Sequence, residues 1–173
     1  MTQRLRALLL VFLLCAACLT IQLEHLPHAY AQEQTHTNDY VNPATGFERA
    51  GTVLRSFDKP EKNWLPGHRG VDLPLNAGDE VLASNTGTIA FSGIVVGTPT
   101  ISIDHADGVR TTYQPVHSRV NVGDSVEKGD VIGIMGHPTS TYPGLQWGAK
   151  IGEEYINPIF LLPQPTIRLK PLS

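Results

Sequence analysis

The stretch VGDSVEKGDVIG, residues 122–133, contains two glycine–aspartate turns, each followed by a short run with β-branched residues. The stretch AGDEV, residues 77–81, shows the beginning of the same pattern earlier in the chain. A tight turn of this kind needs a residue that tolerates a positive φ angle, and glycine does so without steric cost. Two copies of one hairpin-like unit therefore predict a barrel or sandwich of β-strands built from a duplicated motif.

The sequence on both sides of this stretch also favours strands. The chain has 16 glycines and 13 prolines in 173 residues, which indicates many turns and short strands rather than long helices. The pair Asp107-Gly108 between two alternating runs predicts a β-hairpin. The predicted strands cover residues 51–57, 80–84, 87–93, 100–104, 109–113, 131–135 and 145–151. This pattern predicts an all-β, antiparallel fold with little helix.

The N-terminal segment, residues 1–31, is predicted to be a signal peptide. Basic residues precede an apolar run, and Ala29-Tyr30-Ala31 has the small-x-small pattern of a cleavage site. An uncleaved membrane anchor is one alternative, but the apolar run is shorter than the roughly 20 residues that a membrane span needs. Another alternative is a lipoprotein acylated at Cys18, with Cys15 in place of the usual leucine. In each case we expect an exported protein of the cell envelope or the medium.

The rest of the chain is predicted to have three parts. Residues 32–47 are polar and are expected to form a tether, residues 48–162 the folded domain, and residues 163–173, with three prolines, a surface tail. Both cysteines lie in the predicted signal peptide, so the mature domain is expected to fold without disulfides. The formal net charge is −3 and no basic stripe remains, so nucleic acid is not expected as a partner.

His68 and Asp72 are the two residues best suited to hold a metal ion. They lie four positions apart in GHRGVD, residues 67–72, a spacing that suits a loop running into a strand with both side chains turned to one ion. An imidazole nitrogen and a carboxylate oxygen are both suitable zinc ligands. This spacing is common by chance, so its meaning depends on the surrounding sequence.

The surrounding sequence resembles the lysostaphin-type peptidoglycan endopeptidases, a family of zinc metalloendopeptidases. Residues 64–73 resemble the first zinc motif of that family, and four later stretches resemble its strands and turns in the same order: residues 78–92, 103–113, 123–133 and 145–158. The resemblance covers about residues 50–162. It implies the duplicated hybrid motif fold, an antiparallel β-sandwich or open barrel, with His68 and Asp72 as zinc ligands and the bacterial cell wall as the target.

The chain departs from this family where the resemblance places the remaining zinc and catalytic groups. The family opens its last strand with a His-x-His motif, and these two positions are Gly144 and Gln146 here. A further catalytic histidine of the family falls at Pro115. A glutamine carbonyl is a poor substitute for imidazole at zinc, and glycine has no group that takes up a proton. We therefore expect zinc to be bound weakly or to be absent.

Other side chains are candidates for completing this site. His117 is a candidate catalytic group and His137 a candidate rescue ligand, whereas His105 is expected to hydrogen-bond locally at the end of a hairpin. Three residues are candidates for lining a substrate groove: Tyr113, Trp147 and Arg69. For the two aromatic residues, packing in the core is the alternative.

Two functions are consistent with the resemblance and with the departures from it. The first is a catalytically degenerate exported domain that binds cell-wall peptidoglycan or its stem peptides, or regulates another cell-wall hydrolase. The second is an active zinc metalloendopeptidase that hydrolyses peptidoglycan cross-link peptides through a rearranged metal site. A carrier domain of the biotinyl or lipoyl type is disfavoured, because Lys128 lacks the flanking residues expected beside a modified lysine.

Overall fold

The structure is a computed structural model that describes residues 39–62, 64–139 and 141–164. The predicted signal peptide, Cys18 and most of the predicted tail lie outside the described residues. In these ranges the chain forms ten β-strands and one short 3₁₀ helix. None of the helical structure within them has the length and apolar character needed to cross a membrane.

The strands follow one another in chain order with short connections. They are β1 (Gly70–Leu73), β2 (Glu80–Leu82), β3 (Gly87–Val95), β4 (Thr98–Asp104), β5 (Val109–Gln114), β6 (Val116–Ser118), β7 (Ser125–Val126), β8 (Val131–Met135), β9 (Leu145–Ile151) and β10 (Glu154–Ile156). The 3₁₀ helix, Pro158–Leu161, begins after Asn157, whose side-chain oxygen accepts a hydrogen bond from the backbone N–H of Ile159.

The strands form two antiparallel sheets. The larger sheet has seven strands in the order β1-β9-β5-β4-β3-β7, and β10 pairs with β9 beyond the end of β1. The smaller sheet has the order β2-β8-β6. The prediction of an all-β antiparallel fold with little helix is therefore confirmed.

The glycine–aspartate turns have the conformation that the sequence predicts. Their glycines have φ angles of 92° at Gly78, 94° at Gly123 and 89° at Gly129. In each turn the aspartate carboxylate accepts a hydrogen bond from a backbone N–H three residues earlier: Asn76 to Asp79 at 3.0 Å, Asn121 to Asp124 at 2.8 Å and Glu127 to Asp130 at 2.8 Å. The repeated sequence pattern therefore marks a repeated turn geometry.

Side-chain alternation gives the larger sheet one buried face and one polar face. The buried face holds large apolar side chains such as Ile101, Tyr113 and Trp147, all without solvent exposure. Full burial of one such side chain stabilises the fold by about 1.5–3 kcal/mol. The residues between them point the other way, and Ser102, Thr112 and Gln146 among them line an open groove.

Two of the sequence-based boundaries are corrected by the structure. Residues 51–57 do not form a continuous strand, because only isolated bridges join Arg55 to Asp72 and Asp58 to His68. The predicted tether is not entirely outside the fold, since Tyr40 is fully buried and its hydroxyl donates to the Asp107 carboxylate at 2.9 Å. The reason is the apolar ring of Tyr40, which packs in the hydrophobic core although most of the predicted tether is polar in sequence.

Candidate functional site

His68 and Asp72 are brought together at the start of β1. His68 Nδ1 lies 2.8 Å from the backbone oxygen of Ser56, and because a carbonyl oxygen only accepts, Nδ1 donates this bond. Nε2 then carries the free lone pair, and it lies 3.2 Å from Asp72 Oδ1. His68 is 3% exposed and Asp72 is 0% exposed, so this contact is almost sealed from solvent. The structure therefore brings these two side chains together, and the hydrogen bond from Nδ1 to a backbone carbonyl orients the imidazole, as such bonds do in metal-binding histidines.

This contact places two acceptors against each other. Neither His68 Nε2 nor either carboxylate oxygen of Asp72 makes a hydrogen bond with any other described residue. Buried polar atoms without partners are costly, so a positive charge or a shared proton is needed between them. Burial raises the pKa of Asp72, although the nearby charges of His68 and Arg55 oppose this rise. The pair therefore needs either a shared proton or a cation between its two side chains.

The remaining positions of a zinc site carry the wrong groups. Gln146 lies directly opposite Asp72 in the pairing of β1 with β9, so the third-ligand position holds a neutral amide. Within the described ranges, no group of three or more His, Cys, Asp or Glu residues could hold a metal ion, so this pair has no third ligand of these types. A catalytic zinc uses three protein ligands and one open position. One imidazole and one carboxylate fall short of that number, so these residues do not fit a catalytic zinc centre.

The Gly144 position is also closed sterically. A Cβ atom there would lie 2.1 Å from the backbone oxygen of Leu73 and 3.0 Å from the Cδ1 atom of Leu54. A distance of 2.1 Å to a backbone atom requires the chain itself to move. The backbone therefore leaves no room for any side chain at the position where the resemblance places a catalytic histidine.

The two candidate rescue histidines lie away from this pair. His117 is exposed on β6 of the smaller sheet, where it pairs with Ile134, and His137 is exposed after the end of β8. Neither residue lines the groove. His105 hydrogen-bonds locally, as expected, with Nδ1 donating to the Thr86 carbonyl at 2.9 Å and Nε2 accepting from the Thr111 hydroxyl at 2.8 Å.

The prediction that Tyr113 and Trp147 line a groove is corrected. Both side chains are fully buried on the inner face of the larger sheet. The cause is strand alternation, because their chain neighbours Gln114 and Gln146 occupy the outer face instead. The Tyr113 hydroxyl lies 2.6 Å from Ser84 Oγ and 2.8 Å from Thr111 Oγ1, and burial raises its pKa. Tyr113 and Trp147 therefore stabilise the core.

Arg69 does line the groove, as predicted. Its Nη2 atom donates to the Leu65 carbonyl at 3.0 Å, and its guanidinium lies 5.8 Å from the ring centre of Tyr155. These contacts hold the side chain along one wall of the groove.

The groove has a volume of about 630 Å³ and is bounded mainly by polar side chains. Four of the lining residues are basic and none is Asp or Glu: Arg55, Arg69, Arg110 and Lys150. Sequence reasoning missed Arg55, because no motif includes it. The alternation of β5 and β9 was a usable signal for Thr112, Gln114 and Lys150, since these residues alternate with core positions.

Comparisons with known proteins agree with this architecture. The model of peptidase family M23 matches residues 66–158. An uncharacterised protein of Mycobacterium tuberculosis is 43% identical over 128 residues, which cover 70% of this chain and 51% of that protein. The DD-carboxypeptidase/endopeptidase Mpg of Neisseria meningitidis is 35% identical over 103 residues, which cover 58% of this chain and 24% of that protein. The chain thus spans about half the length, or less, of these curated relatives.

Solved structures with a similar fold include a catalytic domain of this peptidase type. The catalytic domain of lysostaphin from Staphylococcus simulans superimposes with a TM-score of 0.51 at 27% identity, over 60% of this chain and 82% of that domain. A chain of the SpoIIQ–SpoIIIAH pore-forming complex superimposes with a TM-score of 0.60 at 21% identity, over 75% and 94% of the two chains. The second likeness concerns the fold alone.

Proposed function

Because the chain belongs to peptidase family M23, we propose that it is an exported domain that binds the peptide part of peptidoglycan in its groove without cleaving it. The observation that carries this proposal is the site at the start of β1. Two of the expected metal-binding residues are present and meet at 3.2 Å. The third position is Gln146, and the adjacent position, Gly144, is closed by the Leu73 carbonyl.

The groups at positions 144 and 146 support binding rather than hydrolysis, because neither glycine nor glutamine supplies a strong metal ligand or a proton-transfer group. Amide hydrolysis at a metal site needs a tightly held ion and a group that moves protons. The described residues around His68 and Asp72 supply neither a third His, Cys, Asp or Glu ligand nor a further histidine or carboxylate that lines the groove. Within the described residues a groove is therefore present, whereas these reacting groups are absent.

The groove floor supports a peptide ligand. Ser102 Oγ lies 3.0 Å from Thr112 Oγ1, and Gln114 Nε2 donates to Thr100 Oγ1 at 2.7 Å, so hydroxyl and amide groups lie side by side along the sheet. Gly148 lies between them and β1 and has no side chain that would hold a ligand away from the strands. An extended peptide has amide groups that match such a polar floor.

Sedimentation with insoluble peptidoglycan tests this function. The purified chain is expected to co-sediment with the wall material and to release no soluble fragments when zinc is added. Release of wall peptides in proportion to added zinc would overturn the proposal and favour the active metalloendopeptidase. Absence of co-sedimentation would overturn it as well.

A matched pair of variants locates the binding surface. Thr112→Tyr places a ring on the groove floor, and we expect it to lower co-sedimentation at least several-fold. Thr88→Tyr makes the same change on β3 outside the groove lining, and we expect it to bind as the wild type does. Equal binding by both variants would show that the groove is not the binding surface.

A further inference from the structure

Arg55 extends a row of outward-facing side chains across the larger sheet. It forms an antiparallel bridge with Asp72. Asp72 is paired with Gln146 on β9, and Gln146 is paired with Gln114 on β5. Directly opposed residues have Cβ atoms roughly 5 Å apart and point to the same face. The Arg55 side chain therefore lies at the end of the groove beside the incomplete metal pair.

Within the described ranges, the charge of Arg55 is less compensated than the charges of Arg110 and Lys150, two other basic residues of the groove. Its guanidinium makes no hydrogen bond and no ion pair there, and it is exposed. Arg110 is held by Asp104 through two bonds of 2.5 and 2.7 Å, and Lys150 lies 3.9 Å from Glu153. Asp72 is close enough to feel the charge of Arg55, but it is fully buried and engaged with His68.

The two ends of the groove therefore differ in charge. Lys150 lies four residues from Gln146 along β9, which places the compensated basic residues about 13 Å from the row that contains Arg55. The floor between them is uncharged, with Ser102, Thr112 and Gly148. A ligand that carries a single negative group gains most when that group lies at the Arg55 end.

We propose that the groove binds a peptide with a free carboxylate, and that the Arg55 guanidinium is the anchor for this carboxylate. The guanidinium fork matches a carboxylate with two parallel N–H···O bonds. Arg55 thus supplies a positive charge beside His68 and Asp72. In an active member of this fold, the metal ion would provide that charge. The proposal rests on the proposed wall-peptide function and specifies which chemical group the site recognises.

The test uses Nα,Nε-diacetyl-Lys-D-Ala-D-Ala, whose only charge is its C-terminal carboxylate, and the C-terminal amide of the same peptide. Calorimetric titration of the wild-type chain is expected to give at least about tenfold tighter binding of the acid than of the amide, as for other hydrogen bonds to charged groups. The Arg55→Gln variant is expected to bind both peptides equally, with the affinity that the wild type has for the amide. Arg119→Gln, outside the groove lining and beside Glu80, should keep the wild-type preference.

The outcomes separate this inference from the proposed function. A preference for the acid that persists in Arg55→Gln overturns the anchor. Equal binding of acid and amide by the wild type, with co-sedimentation intact, overturns the carboxylate preference and leaves the wall-binding function standing. Loss of both peptide binding and co-sedimentation in the wild type overturns both proposals.

Discussion

At the scale of single residues, we expect Gln146 to decide whether a metal site can form beside His68 and Asp72. Its position opposite Asp72 means that an imidazole introduced there would join His68 and Asp72 as a third ligand. We expect Gln146→His to bind about one zinc ion per chain after dialysis and the wild type to bind much less, as measured by elemental analysis. Hydrolysis is expected to remain absent, because position 144 still lacks a proton-accepting group.

Gln114→His is the matched control for this change. Gln114 lines the same groove but lies one strand farther from Asp72, on β5. This variant should bind no more zinc than the wild type. Equal zinc contents in both variants would mean that His68 and Asp72 do not form half of a metal site.

The backbone around Gly144 opposes the introduction of any side chain at this position, including the histidine that the family resemblance places there. Because an added Cβ atom meets the Leu73 carbonyl at 2.1 Å, Gly144→Ala is expected to lower the free energy of unfolding by about 1–3 kcal/mol. For Gly148→Ala, on β9, the added Cβ atom has its nearest contact at 3.3 Å, and we expect a smaller loss. Urea denaturation measures both, and equal stability of the two variants would contradict the steric account of position 144.

The sequence predicted that His68 and Asp72 lie together, but it did not predict which residues surround them. His68 and Asp72 could be recognised because their spacing belongs to a motif, and the motif fixes the local backbone. For Tyr113 and Trp147 the sequence left the groove and the core as alternatives, since alternation separates two faces but does not state which one is covered by the rest of the chain. Arg55 was missed because its position depends on a bridge to Asp72, seventeen positions away, that no local pattern specifies.

At the scale of elements, strands with strong turn signals were predicted well and short ones were not. β8 and β9 have the predicted bounds, and the Asp107-Gly108 turn joins β4 to β5. The strands β6, β7 and β10 have two or three residues each, too few for a periodic pattern to be visible. Their pairing comes from neighbouring strands, so their presence is a property of the assembled sheets.

The hairpin between β3 and β4 carries local strain at its tip. Its two-residue loop is Val96-Gly97, with φ angles of 47° and 81°, and Val96 is 99% exposed. A β-branched residue with positive φ is costly, whereas Asn-Gly is the preferred pair for such a loop. We expect Val96→Asn to raise the free energy of unfolding by about 1 kcal/mol in thermal or urea denaturation. Val95→Asn, at a strand position, should not stabilise; a gain of the same size there would contradict the turn-strain account.

At the scale of the whole molecule, the two faces of the larger sheet have different structural roles. The inner face packs the core through residues such as Ile103 and Leu145, and the outer face forms the groove through the residues between them. Exchange of a histidine for glutamine on the outer face therefore leaves the inner packing unchanged. This separation is consistent with a chain that keeps the architecture of a peptidase family while Gln146 and Gly144 occupy two positions of the outer face and its edge.

Contacts of buried polar groups connect Tyr40, in the predicted tether, to the sheet, and we expect them to make stability depend on pH. His105 receives the Thr111 hydroxyl on Nε2, and the Tyr40 ring packs edge-on against it at 5.2 Å. Burial lowers the pKa of His105, although Thr86, Asp107 and Asp104 oppose this effect. The folded protein therefore binds fewer protons at this site than the unfolded chain, whose histidine titrates near 6.5.

Stability is accordingly expected to be complete above about pH 6.5 and to fall as the pH decreases toward the folded-state pKa of His105. The contribution of one such group to the slope is at most about 1.4 kcal/mol per pH unit. Urea denaturation between pH 7.5 and pH 5 should give a shallower slope for His105→Gln than for the wild type, because glutamine does not titrate. His137→Gln removes an exposed histidine and should keep the wild-type slope. If the His105 variant keeps that slope too, the acid sensitivity arises from other groups and these contacts do not couple protonation to folding.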